Sequence, residues 1–208
     1  GQPDLAQWDA RQHSLEELPP EMFRFLLPSR YCEVDSELLA FAWNQFGQAP
    51  AGWPRVQAIC DYVHGHVRFD YKEARANRTA CQGWQERVGV CRDFAHLAVA
   101  LCRCMNIPAR YVTGYLGDID FVPVPGSMDF SAWFEAWLDG AWHTFDARHN
   151  VPRIGRIVMA RGRDAADVPI TMTFGWSQLV RFEVVAEELV TTEFTPVERA
   201  LPALLAAR

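Results

Sequence analysis

No apolar stretch of this 208-residue sequence reaches the ~18 residues that a membrane-spanning helix requires, and the N-terminus, GQPDLAQWDARQHS, lacks the basic-then-apolar order of a secretory signal. A global positive field is also missing. The formal net charge is -6, so neither a nucleic-acid backbone nor a membrane surface is an expected partner. Glycine and proline, 13 of each, stay near ordinary usage, which excludes a collagen-like or low-complexity chain. No internal repeat of roughly 20 to 50 residues runs through it. The six cysteines, Cys32, Cys60, Cys81, Cys91, Cys102 and Cys104, are too few and too irregular for a disulfide scaffold, so reduced thiols and a cytoplasmic location are expected. No CxxC pair exists, and Cys60, His64 and His66 do not share a helix face, so no metal and no other cofactor is expected.

What is present is enough apolar material for one full core: 50% of residues are hydrophobic and 12% aromatic. Pro19, Pro20 and Pro28 surround a single apolar run, Met22 to Leu27, which predicts an extended lead-in with one short helix and order beginning near residue 30. Asp35 is placed to cap a helix over 36–46, closed by Gly47. Pro54 opens a second helix with Val56, Ile59, Cys60, Val63 and Val67 on one stripe. Thr79 caps a short third helix ending at Val88-Gly89, and a fourth runs from Cys91 to Met105. Beyond Pro108 strands are expected over 109–116, 130–138, 141–147 and 179–190, with an arginine-rich loop from Arg153 to Arg163 and a short helical turn over 164–168. Helices first and strands second define an α+β order, with helices packed on an antiparallel sheet.

The segment Gly89-Val90-Cys91-Arg92-Asp93-Phe94 is the most informative. Gly89 permits a tight turn, and Cys91 then stands in the first turn of an apolar helix, where unpaired backbone N–H groups and the positive dipole end stabilise a thiolate and can donate to an oxyanion. The plainer alternative is an ordinary buried thiol. Asp93 complements the helix start, although its charge opposes a thiolate nearby. His96 reads as a core histidine bonded to backbone.

Asp139-Gly140 is a strong hairpin signal. A two-residue turn pairs Leu138 with Ala141 and sets Trp133 opposite Asp146, so Ser131, Trp133, Glu135, Trp137, Trp142, Thr144 and Asp146 share one face. Ser131 is then a diagonal neighbour of Asp146. Trp133 and Trp142 either wall a substrate cleft or pack, Trp142 against Trp137. His143 faces away from Asp146, whereas His149, just past the strand, has the freedom to approach it or to serve a plain loop role. The arginines Arg153, Arg156, Arg161 and Arg163 are able to dock an acidic substrate, but in so acidic a chain salt-bridged roles are the plainer reading.

Three blocks, Gly89-Val90-Cys91-Arg92-Asp93-Phe94-Ala95-His96, Ser131-Ala132-Trp133-Phe134-Glu135-Ala136, and Trp142 with Phe145-Asp146-Ala147, resemble the motifs of the bacterial transglutaminase-like family, also described as candidate cysteine proteases. Pro28-Ser29-Arg30-Tyr31-Cys32, Asn106-Ile107-Pro108-Ala109-Arg110-Tyr111 and Arg161-Gly162-Arg163-Asp164-Ala165-Ala166-Asp167-Val168 resemble the same subgroup, over about residues 19 to 190. The resemblance implies a papain-like transglutaminase core that performs thiol-dependent acyl transfer or amide hydrolysis on a peptide or protein amide. It puts Cys91 at the nucleophile, Asp146 at the carboxylate that orients an imidazole, and Ser131 where the family has histidine. A serine hydroxyl supplies no base near neutral pH, so the triad is incomplete and an inactive binding or regulatory module is the alternative. The resemblance further implies a β-rich region ahead of this core, so 1–30 is expected to be the remnant of a missing N-terminal region, 31–190 the core domain and 191–208 a tail.

Overall fold

Ser36, rather than Asp35, caps the first helix: its hydroxyl accepts from the Leu38 amide, and α1 runs Glu37–Phe46. The computed structural model describes residues 4–119 and 130–186. Gly52, at φ 99°, turns the chain into α2 (Trp53–His66), with Pro54 in its first turn as expected. A side chain at Gly52 would strike the Ala10 carbonyl, which accepts from the Trp53 amide at 2.9 Å. Thr79 and Gln82 exchange cap hydrogen bonds at the start of α3 (Ala80–Glu86), which ends on Arg87 in the left-handed region. Two short parallel strands, β1 (Arg68–Phe69) and β2 (Val88–Gly89), then bring the chain to α4 (Cys91–Cys104).

Helix α4 is the axis of the molecule. Every residue from Asp93 to Cys104 is buried, because α1, α2 and α3 cover one side and a four-stranded antiparallel sheet covers the other. The sheet comprises β3 (Ala109–Tyr115), β4 (Phe130–Leu138), β5 (Ala141–Phe145) and β6 (Ile157–Gly162) in the order β5-β4-β3-β6. The β4–β5 turn holds Asp139 and Gly140 at φ 49° and 80°, the left-handed pair a two-residue hairpin demands. Leu138 pairs with Ala141, Trp137 with Trp142 and Phe134 with Phe145, which is the register read from the sequence. Phe134, Ala136, Leu138 and Phe145 therefore join Phe94, Leu97 and Leu101 in the main core, while Trp133, Glu135 and Trp137 face the other way.

Three expectations change. The short helix expected on the Met22 to Leu27 run is present as the 3₁₀ turn Pro20–Phe25, but order begins well before residue 30: with a second turn at Leu15–Glu17 it buries Leu18, Met22 and Phe25 against Trp137 and Trp142, and Ala10 enters the main core. The buried Arg103 guanidinium fastens this region, donating to the Leu27 carbonyl, the Ser29 hydroxyl and the Ala109 carbonyl. The arginine-rich loop contains a strand, β6, whose largely exposed edge position erases the alternating pattern that marks half-buried strands. The strand expected over 179–190 is absent from 179–186, which form no ladder, and 187–190 lie outside the described residues.

Candidate active site

Gly89 sets the entrance to α4. A Cβ there would come within 2.6 Å of the Asp93 carboxylate, and that carboxylate is what closes the helix start: Asp93 accepts from the Val90 amide at 2.9 Å and from Arg78 at 3.0 Å. Arg78 and Asp93 are both nearly inaccessible, so the charge of Asp93 is spent on a buried ion pair and a cap. Replacing Gly89 by alanine is expected to displace Asp93 and lower unfolding stability by about 2–3 kcal/mol, measured by urea titration, with an unchanged m-value. Retention of full stability would show that Asp93 yields to the methyl group.

Cys91 is the first residue of α4 and partly buried, packed with Ala95, Tyr111 and Ala132. Burial pushes its thiol above the ordinary value; the Arg148 guanidinium and hydrogen bonds from the Ala132 and Arg92 amides pull the other way, and the Asp146 charge adds to the rise. The balance leaves a protonated thiol at neutral pH, in surroundings that already hold donors for a sulfur anion. The other half-exposed cysteine, Cys81, lies beside Glu33 and Glu37, which with burial raise its thiol. Cys32 and Cys104 are pushed by burial to about 12 and about 11, and Cys60 and Cys102 are also core thiols. His64 and His66 bond separate carbonyls, of Arg148 and Trp84, and do not converge on Cys60.

Because Ala132 donates to the Cys91 sulfur, the Ser131-Ala132 peptide lies beside that thiol. Ser131 is buried, its cross-strand partner is Gly114, and its hydroxyl makes no hydrogen bond among the described residues. Buried hydroxyls are normally paired, so this position offers a polar group to nothing. Asp146, by contrast, is saturated. Its Oδ1 accepts from the Arg148 and His149 amides at 3.0 Å each, and its Oδ2 from His149 Nδ1 at 2.8 Å and Arg156 at 2.9 Å. Burial would raise this carboxyl, but the His149 hydrogen bond and the charges of Arg156 and His149 hold it well below the ordinary carboxylate range.

The imidazole that Asp146 holds is that of His149. The legible signal was the Asp-x-x-His spacing directly after a strand: a turn wound on its own aspartate returns the third residue to the carboxylate. The same turn carries Arg148 toward Cys91 and over the Phe69 ring, 3.9 Å from its centroid. His96 is a core histidine as read: it is fully buried, stacked on Tyr31, with Nε2 accepting from the Ala165 amide at 3.1 Å. His143 lies on the opposite face from Asp146, against Trp53.

Both site-face tryptophans pack. Trp133 is 1% exposed, lies over the bare backbone of Gly114 and is covered by Arg156, whose guanidinium stands 4.8 Å from the ring centroid. Trp142 packs edge-on against Phe25 and Trp137. Arg156 bridges Asp146 to Asp4, while Arg153, Arg161 and Arg163 pair with Asp118, Glu135 and Asp167, so all four arginines are salt-bridged. A cavity of about 80 Å³ behind Asp146 is lined by Trp53, Gln57, Cys60 and the N-terminal residues Asp4–Ala6, but not by Cys91.

A thiol on a helix start is thus packed against a sheet that carries a buried carboxylate. The model of the transglutaminase-like superfamily matches residues 40–147, just over half of the chain, and the chain belongs to that superfamily. A solved structure described as a "Putative Cysteine Protease" from Cytophaga hutchinsonii is 37% identical, with 90% of this chain and 62% of that one covered and a TM-score of 0.79. The periplasmic domain of TgpA from Pseudomonas aeruginosa shares the fold, with a TM-score of 0.51 at 20% identity over 66% of this chain and 52% of that one. Uncharacterised proteins of Mycobacterium leprae and Mycobacterium tuberculosis are 35% identical over 103 residues and 33% over 132. These segments make up 48% and 56% of this chain, and only 37% and 41% of the relatives' lengths.

Proposed function

We propose that this domain performs thiol-dependent acyl transfer or amide hydrolysis on a peptide or protein amide, with Cys91 as the nucleophile. The observation that carries the reading is the setting of the Cys91 sulfur, at the head of α4 with the Ala132 and Arg92 amides and the Arg148 charge directed to it. In the reaction the thiol gives up its proton and the sulfur attacks the carboxamide carbon. The C–N bond breaks, ammonia or an amine leaves with a proton, and a thioester remains. An amine or water then takes the acyl group and the thiol is restored.

Ser131 stands where the family resemblance puts the base, so proton removal is the deficient step and turnover of the present sequence is slow. Ammonia release from a model glutaminyl peptide tests this. Ser131→His is expected to raise the rate by at least about 100-fold, the lower range of general acid–base contributions, and Cys91→Ser in that background to abolish it. No gain in a folded Ser131→His variant would overturn the assignment of position 131. The second reading, a binding module without turnover, is favoured by the unpartnered Ser131 hydroxyl, and it prevails if labelled peptide binds both variants and neither releases ammonia.

A further inference from the structure

On the sheet face that carries Glu135, away from α4, lies a second cavity of about 240 Å³, lined by Arg24, Phe25, Arg110, Arg161, Gly162, Arg163 and Asp167. This is several times the ~30 Å³ that one water occupies in the liquid. Its charge is unbalanced. Arg110 and Arg161 share a single buried carboxylate, Glu135, at 2.6 and 3.0 Å. Arg163 is matched by Asp167, and Arg24, stacked on Phe25 at 4.6 Å, has no carboxylate partner among the described residues. Four guanidiniums thus meet two carboxylates, a local excess of two positive charges in a chain of net charge -6.

One of these arginines is also held in place. Arg110 is mostly buried, its guanidinium lying 4.0 Å from the Trp142 ring centroid and clamped by Glu135. Burial, with a smaller contribution from the charges of Arg161 and Arg24, lowers its pKa in spite of Glu135. The sequence uses one lysine, Lys72, against 19 arginines, and this cavity contains arginine alone among cations. Planar guanidiniums are suited to the paired oxygens of an oxyanion, and carry a fork of donors that ammonium groups lack.

We propose that this cavity is a binding site for a phosphoryl dianion, either free phosphate or a phosphate ester on a peptide side chain. Two negative charges neutralise the excess, and Arg24, Arg161 and Arg163 all line the cavity that would hold the tetrahedral oxygens. Glu135 lies four residues along β4 from Ser131, about 13 Å at the strand rise, so the site is separate from Cys91 and stands whether or not that thiol is reactive.

Calorimetric titration of the protein with inorganic phosphate and with a phosphoserine peptide, at fixed ionic strength, tests it. Saturable one-to-one binding is expected, weakened about tenfold in Arg24→Gln and in Arg163→Gln and unchanged in Arg181→Gln, whose arginine pairs with Glu183 elsewhere. Asp167→Asn, which removes a negative charge from the lining, is expected to tighten binding, a change of sign that damage to the fold would not produce. Tighter binding of the peptide assigns the phosphoryl group to an esterified side chain, and equal affinity assigns it to the free anion. Absence of saturable binding, or affinities that ignore all three cavity substitutions, would overturn the site.

Discussion

Asp146→Ala is expected to lose about 3 kcal/mol of unfolding stability, the lower end of the cost of breaking a buried ion pair, because the carboxylate it removes accepts four hydrogen bonds. The lower end applies because Arg156 keeps Asp4 as a second partner, 2.9 Å away. The His149 ring and the Arg148 and His149 amides have no such substitute in the turn, so the loss of local order extends to the segment that directs Arg148 at Cys91. The pH dependence separates this from simple loss of packing. Asp146 is held well below its ordinary value of 3.8, so it contributes stability above that value and loses it as the pH falls, when the unfolded chain binds the proton first. The present sequence should therefore lose stability more steeply than Asp146→Ala between about pH 5 and pH 2, in denaturant titrations at several pH values. Parallel curves for the two proteins would mean that the carboxylate is not held ionised by His149 and Arg156.

Ser131→His is expected to raise the alkylation rate of Cys91 by iodoacetamide at pH 7 by about tenfold. Burial holds the thiol above its ordinary value of 9.0, so less than about 1% is thiolate at pH 7 in the present sequence. An imidazolium partner that brought the thiol near 7 would raise that fraction about 50-fold. Intrinsic nucleophilicity falls with pKa, with a Brønsted slope of about 0.4–0.5, and takes back a factor of about eight. The gain that remains is several-fold at the ordinary value and reaches about tenfold once the upward shift is included. Cys81, flanked by Glu33 and Glu37, serves as the internal control, since its rate should not change. An equal rate at Cys91 in both proteins would show that an imidazole at position 131 does not reach the thiol.

The parts of the molecule that were legible in the sequence are those decided by neighbours along the chain. Asp139-Gly140 imposes a two-residue turn through its left-handed backbone, and the turn alone fixes which residues pair, down to Trp137 with Trp142. The start of α4 was legible because Gly89, Cys91 and Asp93 act within one helical turn. What was not legible depends on distant partners. The packing of Trp133 needs Gly114 on another strand and Arg156 from beyond the next. Strand β6 is set by the free edge of β3 rather than by its own largely exposed residues, while 179–186 form no ladder among the described residues.

The central claim is that the sulfur of Cys91 takes the acyl group. The most direct measurement is mass spectrometry of the Ser131→His protein, quenched in acid during turnover of a glutaminyl peptide and digested. The account predicts one peptide, carrying Cys91, heavier by the mass of the substrate less ammonia, and no such adduct when Cys91 is replaced by serine. Ammonia release without an adduct at Cys91, or an adduct that persists on another residue after that replacement, would contradict it.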